Sequence, residues 1–428
     1  MGGRASAAIE ILEDVLGRHR PVADALKDWG KARRFAGASD RAVIGNIVYD
    51  ALRRRASLAD MMGSDSPRAL VLAALRVQWK LPPEQLAELC VEEHGPGPLS
   101  AEERLSLASG TRQSAMPWIR GDYPEWLDQS FARQFSDARV EQGQALAERA
   151  PVDLRVNTLK TSTDRALKAL AKFKPSPATY VSNCIRLPVP AAAGRNPNVE
   201  AEPAHARGWF EVQDEGSQIA TLLSGAKAHE QVADLCAGAG GKSLALAAMM
   251  ENKGQIYAYD SDRQRLRPIF ERLQRSGARN VQVIPADEPD RLDALRGKLD
   301  LVLIDAPCSG SGAWRRRPDA KWRLRPEVLG QRIDTQRRLL QQGAKLTRPG
   351  GRVHYITCSL LPEENQDQID LFLAAHPQFR LVPYEEQWRT GFLAGRPPSA
   401  DGSHQTLLLT PLNHYTDGFF IACMRHDK

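Results

Sequence analysis

The chain has 428 residues, 42% hydrophobic and 26% charged, with a formal net charge of +6. That balance fits a folded protein of roughly two to four domains and excludes a disordered or low-complexity chain. No apolar run is long enough for a helix to span a bilayer, and no membrane partner is expected.

Residues 1 to about 95 read as helices, with apolar positions at three- and four-residue spacing in "AAIEILEDVL", "SDRAVIGNIVYDALRRRASLADMM", "SPRALVLAALRVQW" and "PPEQLAELCVEE". The opening "MGGRASAAIEILEDVLG" has no signal-peptide core, because Glu10, Glu13 and Asp14 interrupt it. Gly2 and Ser6 match a loose myristoylation pattern, but Ile9, Leu12, Val15 and Leu16 read more simply as one helix face. The turn-rich "HGPGPLS" closes this block. From about 115 to 212 the pattern is mixed. "PEWLDQSFARQF", "EQGQALAERA" and "STDRALKALAKF" predict helices, "VDLRVNT" and "ATYVSNCIRLPV" strands, and "PVPAAAGRNPN" a surface loop. Beyond 213, apolar strands ("QVADLC", "GQIYAYD", "NVQVIPAD", "LDLVLIDAP", "GRVHYITC") alternate with helical stretches. Such alternation predicts a parallel, doubly wound α/β sheet with ligands beyond the strands' carboxyl ends.

Charge is unevenly placed. Between Ala313 and Arg348 there are eleven Lys/Arg against three acids, 11 − 3 = +8, more than the excess of the whole chain. "WRRRPDAKWRLRP" interleaves Trp314 and Trp322 with cations, a pattern that suits phosphate contact together with base stacking and predicts a nucleic-acid partner.

"VADLCAGAGGKS" follows a strand and opens a helix. A Walker loop would need glycine at Cys236 and a dinucleotide fingerprint glycine at Ser243, so both readings fail. Asp234, Asp260, Asp287 and Asp305 stand at successive strand ends. Asp260, twenty residues after Gly240, is spaced to accept both hydroxyls of a ribose. Glycines and carboxylates without a phosphate cradle favour S-adenosyl-L-methionine over NAD as cofactor.

The six cysteines (90, 184, 236, 308, 358, 423) include no C-x-x-C pair, which argues against disulfides or a zinc knuckle and predicts a reduced, cytoplasmic setting with no metal. Cys90, Cys184 and Cys423 read as core packing, whereas Cys308 and Cys358 follow separate buried strands. Methylating cytosine at C5 needs a thiolate to add at C6, an acid near N3 and a base to remove the C5 proton. Cys358, followed by "LPEEN", is placed where a helix N-terminus could favour the thiolate.

"DLCAGAGGKS", "DAPCSGSGAWRRRPDAKWR", "YITCSLLPEENQDQ" and "DGFFIACMRHDK" resemble the motifs of the Sun-type RNA cytosine-C5 methyltransferases, in their RsmB-like branch, and "PVDLRVNTLK" and "FEVQDEGSQIA" resemble the segment that precedes them. The resemblance covers nearly the whole chain. It implies an all-α NusB-like domain (1–114), a small α/β, RRM-like module (115–212) and a Rossmann-like class I methyltransferase domain (213–428). Cys358 would then be the nucleophile and Cys308 would help release the methylated RNA, a choice the residues alone leave open. Cys236, Ala237, Gly238, Ala239, Gly240, Gly241 and Lys242 would wrap the methionine end of the cofactor, with Lys242 also able to reach the target base. Asp260 would hold the ribose and Asp287 the adenine side, Asp305 would lie between cofactor and base, and Arg265 would line the cofactor. The partner implied is rRNA or an assembling ribosomal subunit. The family loop usually reads Cys-Ala-Ala-Pro-Gly-Gly-Lys, and replacement of its Ala-Pro by Gly238-Ala239 predicts a less preorganised loop and an altered cofactor grip. Two other readings remain at this stage, a methyltransferase acting on an adenine amino group and an RNA-binding or ribosome-assembly factor with a vestigial methyltransferase domain.

Overall fold

Each of the apolar patterns before residue 95 forms helix in the computed structural model, which describes residues 1–34, 36–110, 114–195, 197–389, 391–393 and 395–428. Helices Gly2–Arg18, Val22–Ala32, Ala38–Arg53, Arg55–Met62, Pro67–Val77 and Pro83–Val91 bury one another's apolar faces around Ile11, Leu12, Ile47, Leu52, Leu70 and Leu86. The stretch 39–62, expected as one helix, breaks at Arg54. The cause is tertiary: the buried Asp122 carboxylate accepts the Ser57 N–H (2.9 Å) and the Ser57 hydroxyl (2.8 Å), capping the second helix from outside. Among the described residues, no helix is long and apolar enough to cross a membrane.

The three segments expected at 1–114, 115–212 and 213–428 are grouped as two compact units. The helical one comprises Met1–Ala150, Val189–Asn196 and Ala313–Leu324; the other comprises Pro151–Pro188, Pro197–Gly312 and Arg325–Lys428. The loop 188–198 carries no helix or strand among its described residues; residue 196 lies outside them.

The return of Ala313–Leu324 to the helical unit corrects the base-stacking reading. Trp314 is fully buried and stacks on Phe131 (ring centroids 6.1 Å apart, planes 9° apart). The Trp322 indole N–H donates to the Leu52 carbonyl (2.7 Å) and Lys321 Nζ to that of Arg53 (2.9 Å). Both carbonyls belong to the last turn of Ala38–Arg53, where orphaned acceptors and the helix dipole favour donors and cations. Burial lowers the Lys321 pKa to about 7. Arg317, Arg325, Arg332, Arg337, Arg338, Lys345 and Arg348 stay exposed.

The second unit holds two sheets. Strands β1 (Val152–Val156), β2 (Ser176–Pro177), β3 (Cys184–Leu187) and β4 (Phe210–Val212) form a small antiparallel sheet in the order β2-β3-β1-β4. Alternation along β1 sends Leu154 and Val156 into one small core and leaves Asp153 buried in an ion pair with Arg186 (2.7 Å). The larger sheet contains β5 (Gln231–Asp234), β6 (Gln255–Tyr259), β7 (Val281–Ile284), β8 (Leu299–Asp305), β9 (Thr347–Thr357), β10 (Phe379–Leu381), β11 (Leu407–Leu409) and β12 (Phe419–His426). Its order is β10-β12-β9-β8-β5-β6-β7, with β11 pairing β12. Strands β5 to β9 run parallel and β12 returns antiparallel to β9. Val232, Ile256, Leu301 and Leu303 are wholly buried, as expected of parallel strands covered on both faces. Val181 and Cys184 pack into the same core as these strands. Because β6 lies on one side of β5 and β8 on the other, the connections reverse direction there and open a crevice at the carboxyl ends.

Candidate active site

The loop 235–240 turns from β5 into the helix Gly241–Met249 at that crevice. Gly238 and Gly240 hold φ of +49° and +84°. The Gly238 N–H donates to Asp260 Oδ2 (2.9 Å), and the Asp262 N–H to Asp260 Oδ1 (2.9 Å), so the acid that ends β6 braces the glycine turn. Arg265 lies 3.8 Å from the same carboxylate. Asp287 is exposed in the turn after β7, with no side-chain partner among the described residues. Beneath the loop, Asp234 is fully buried and accepts from the Ser243 hydroxyl (2.7 Å). Burial raises its pKa to about 7 and pushes the Cys236 thiol well above its usual range.

Asp305, ending β8, accepts from Lys242 Nζ at 2.5 Å. The ammonium also donates to Ser217 Oγ (3.3 Å) and lies 5.7 Å from the Phe419 ring centroid. Sequence reasoning missed Ser217 and Phe419, which no local spacing links to the lysine.

Cys308 and Cys358, fifty residues apart in the chain, meet with their sulfurs at 3.4 Å. The Cys358 sulfur and burial push the Cys308 thiol well above its usual range. The loops carrying the two cysteines are tied together: the Gly312 N–H donates to the Cys358 carbonyl (3.0 Å) and the Gly418 N–H to the Gly312 carbonyl (2.9 Å). A Cβ on Gly312 would lie 2.2 Å from the Gly418 carbonyl oxygen, so this crossing requires glycine. One expectation is corrected here. The helix after Cys358 starts only at Gln366, and the turn Pro362–Glu364 comes between, so no helix N-terminus follows the thiol directly.

A family model described as 16S rRNA methyltransferase RsmB/F matches residues 220–425, and one described as the RsmF/B-like ferredoxin-like domain matches residues 123–193. The chain is 34% identical over 322 residues to the ribosomal RNA small subunit methyltransferase B of Sodalis glossinidius, an alignment covering 74% of this chain and 68% of that one. The chain belongs to the RsmB/F family of 16S rRNA methyltransferases. It is similar also to the probable ribosomal RNA small subunit methyltransferase B of Synechocystis, at 32% over 308 residues, 71% of this chain and 66% of that one. The chain thus spans about two thirds of the length of these curated relatives. The fold matches that of NSun6 from Pyrococcus horikoshii, solved with the S-adenosylmethionine analogue SFG (TM-score 0.61, 22% identity, 71% of this chain and 98% of that one).

The cofactor of an RsmB/F enzyme is S-adenosylmethionine, and the residues present fit it. The Asp260 carboxylate, fixed beside this turn by the Gly238 and Asp262 N–H groups, is an acceptor suited to ribose hydroxyls. The left-handed φ at Gly238 also shows what the departure from Ala-Pro does: glycine adopts a turn that alanine resists by about 1–2 kcal/mol. Gly238→Ala meets no clash but should relax the turn and weaken S-adenosylmethionine binding by on the order of tenfold, read by isothermal titration.

Proposed function

We propose that this chain transfers a methyl group to C5 of a cytosine in 16S-type rRNA through a covalent adduct on Cys358. The observation carrying the reading is the 3.4 Å sulfur pair at the carboxyl ends of β8 and β9, and the resemblance to the Sun-type enzymes assigns attack to Cys358 and release to Cys308. The Cys358 Sγ bonds to cytosine C6 and moves electron density onto C5. Bound S-adenosylmethionine supplies an electrophilic sulfonium methyl group. Asp305, anchored by Lys242, is the carboxylate available to take up the proton the Cys358 thiol loses and to share it with the base at N3 as negative charge develops there. After methylation the C5 proton passes to a base, the S–C6 bond breaks, and its electron pair returns to sulfur as C5=C6 reforms, a release assisted by Cys308. Asp260 and the 236–242 loop orient the cofactor, with Arg265 and Asp287 at its outer side. The helical unit, read as NusB-like, and the small sheet hold the RNA, whose base must be exposed to be reached. Both thiols must stay reduced, which a cytoplasmic setting provides.

Bisulfite sequencing of 16S rRNA from cells lacking this gene, complemented with wild type or Cys358→Ala, tests the reading. One cytosine should lose its mark on deletion and regain it only with Cys358 intact. A mark restored by the alanine variant would remove the thiol from the mechanism, and no changed cytosine would leave the RNA-binding reading.

A further inference from the structure

We propose that Glu364 is a positioning residue that fixes Cys308 against Cys358, so that its loss stalls the enzyme after adduct formation. The inference rests on the roles given above to the two cysteines.

Glu364 ends the turn Pro362–Glu364 and is fully buried. A carboxylate removed from water is costly unless donors replace the solvent. Here Oε1 accepts from the Ser309 N–H (2.8 Å) and Gln336 Nε2 (3.0 Å), and Oε2 from the Ser309 hydroxyl (2.5 Å). Ser309 immediately follows Cys308, so one carboxylate grips both its backbone and its side chain. The other flank is held too: Gln336 Nε2 donates to the Pro307 carbonyl (3.0 Å). The Glu364 carbonyl in turn accepts from the Tyr355 hydroxyl (2.8 Å), which ties the turn to β9.

Each cysteine precedes a serine, and the two serine hydroxyls lie 3.2 Å apart, spanning the same pair of loops as the sulfurs. Cys358 has anchors of its own, since Thr357 bonds Asn365 (2.6 Å) and Asn365 donates to the Ser359 carbonyl (2.9 Å). Glu364 also reaches the Ser359 side chain, but when its grip slackens Cys358 keeps the Thr357–Asn365–Ser359 anchors, whereas Cys308 loses the ties at Ser309 and Pro307. Attack and methylation survive such a change, and release does not.

The full-length protein, S-adenosylmethionine and an unmodified 16S rRNA transcript provide the test, with adduct read as an RNA–protein band that resists denaturing detergent. Glu364→Gln keeps an oxygen for the Ser309 N–H and Gln336 but replaces the other by an NH2, so the charge-assisted bond from the Ser309 hydroxyl is lost. It should form adduct at a rate near wild type, accumulate it as Cys308→Ala does, and lower steady-state turnover by roughly 10–100-fold. Ser309→Ala keeps the backbone donor and should show the same accumulation, several-fold weaker, even if Glu364→Gln fails to fold. Adding Cys358→Ala to either should abolish the band. Wild-type turnover in Glu364→Gln and Ser309→Ala, or slowed turnover without adduct while Cys308→Ala accumulates it, would overturn the inference. Absence of adduct from Cys308→Ala as well, with methylation intact in wild type, would instead overturn the reading of Cys308, and this inference with it.

Discussion

Cys358→Ala is expected to lower methyl transfer by on the order of 10⁴-fold or more, whereas Cys308→Ala is expected to methylate once and then hold its RNA. The difference follows from the separate roles proposed for two sulfurs only 3.4 Å apart. Removing a covalent nucleophile removes the path itself, and the remaining groups can only bind and orient. Cys358 has no substitute within the pair if, as proposed, Cys308 serves release and not attack. Removing Cys308 leaves the attacking sulfur, the Lys242–Asp305 pair and the cofactor loop in place. Quench-flow with methyl-labelled S-adenosylmethionine separates the two variants. Cys358→Ala should give no burst; Cys308→Ala should give a burst near one methyl per enzyme followed by almost none. A normal steady state in Cys308→Ala would show that release needs only one thiol.

Much of this site is legible in the sequence because a parallel sheet converts strand ends into ligand-facing positions. Asp234, Asp260 and Asp305 stop apolar runs, and runs of this kind become buried strands whose next residue faces the crevice. The two cysteines obey the same rule, and the proposal that Cys358 is the attacking one comes from the resemblance to the Sun-type enzymes and not from the strand pattern. What stays hidden is whatever depends on long-range pairing. Ser217 reaches Lys242 across 25 residues and Gln336 reaches Glu364 across 28, and neither carries a local pattern. The break at Arg54 is equally invisible, since its cause is a carboxylate 65 residues away from Ser57. The basic run misleads for a different reason. Lys321 and Trp322 have the composition of a surface, yet their donors answer carbonyls at the end of a helix some 270 residues earlier, and only the folded chain shows that demand.

That reversal sets up the largest stability effect expected in this protein. Trp314→Ala should destabilise the helical unit by about 3–5 kcal/mol, the usual cost of emptying a buried aromatic site that cannot fully collapse. Trp314 is among the largest fully buried side chains, and the site is closely stacked: its ring lies against Phe131, which stacks in turn on Tyr123 with centroids 4.4 Å apart. The indole N–H has no partner among the described residues, so the cost is one of packing and not of a lost hydrogen bond. Trp314→Phe should therefore recover most of the loss, because it refills the stack and gives up only a donor that bonds nothing. Thermal unfolding should show the alanine variant melting on the order of 10 °C lower, with phenylalanine in between. A base-stacking tryptophan predicts the opposite pair of results, an unchanged melting temperature and weakened RNA binding. Measured on folded protein below its transition, RNA affinity should change little in Trp314→Phe, since a ring packed between helices has no face left for a nucleobase.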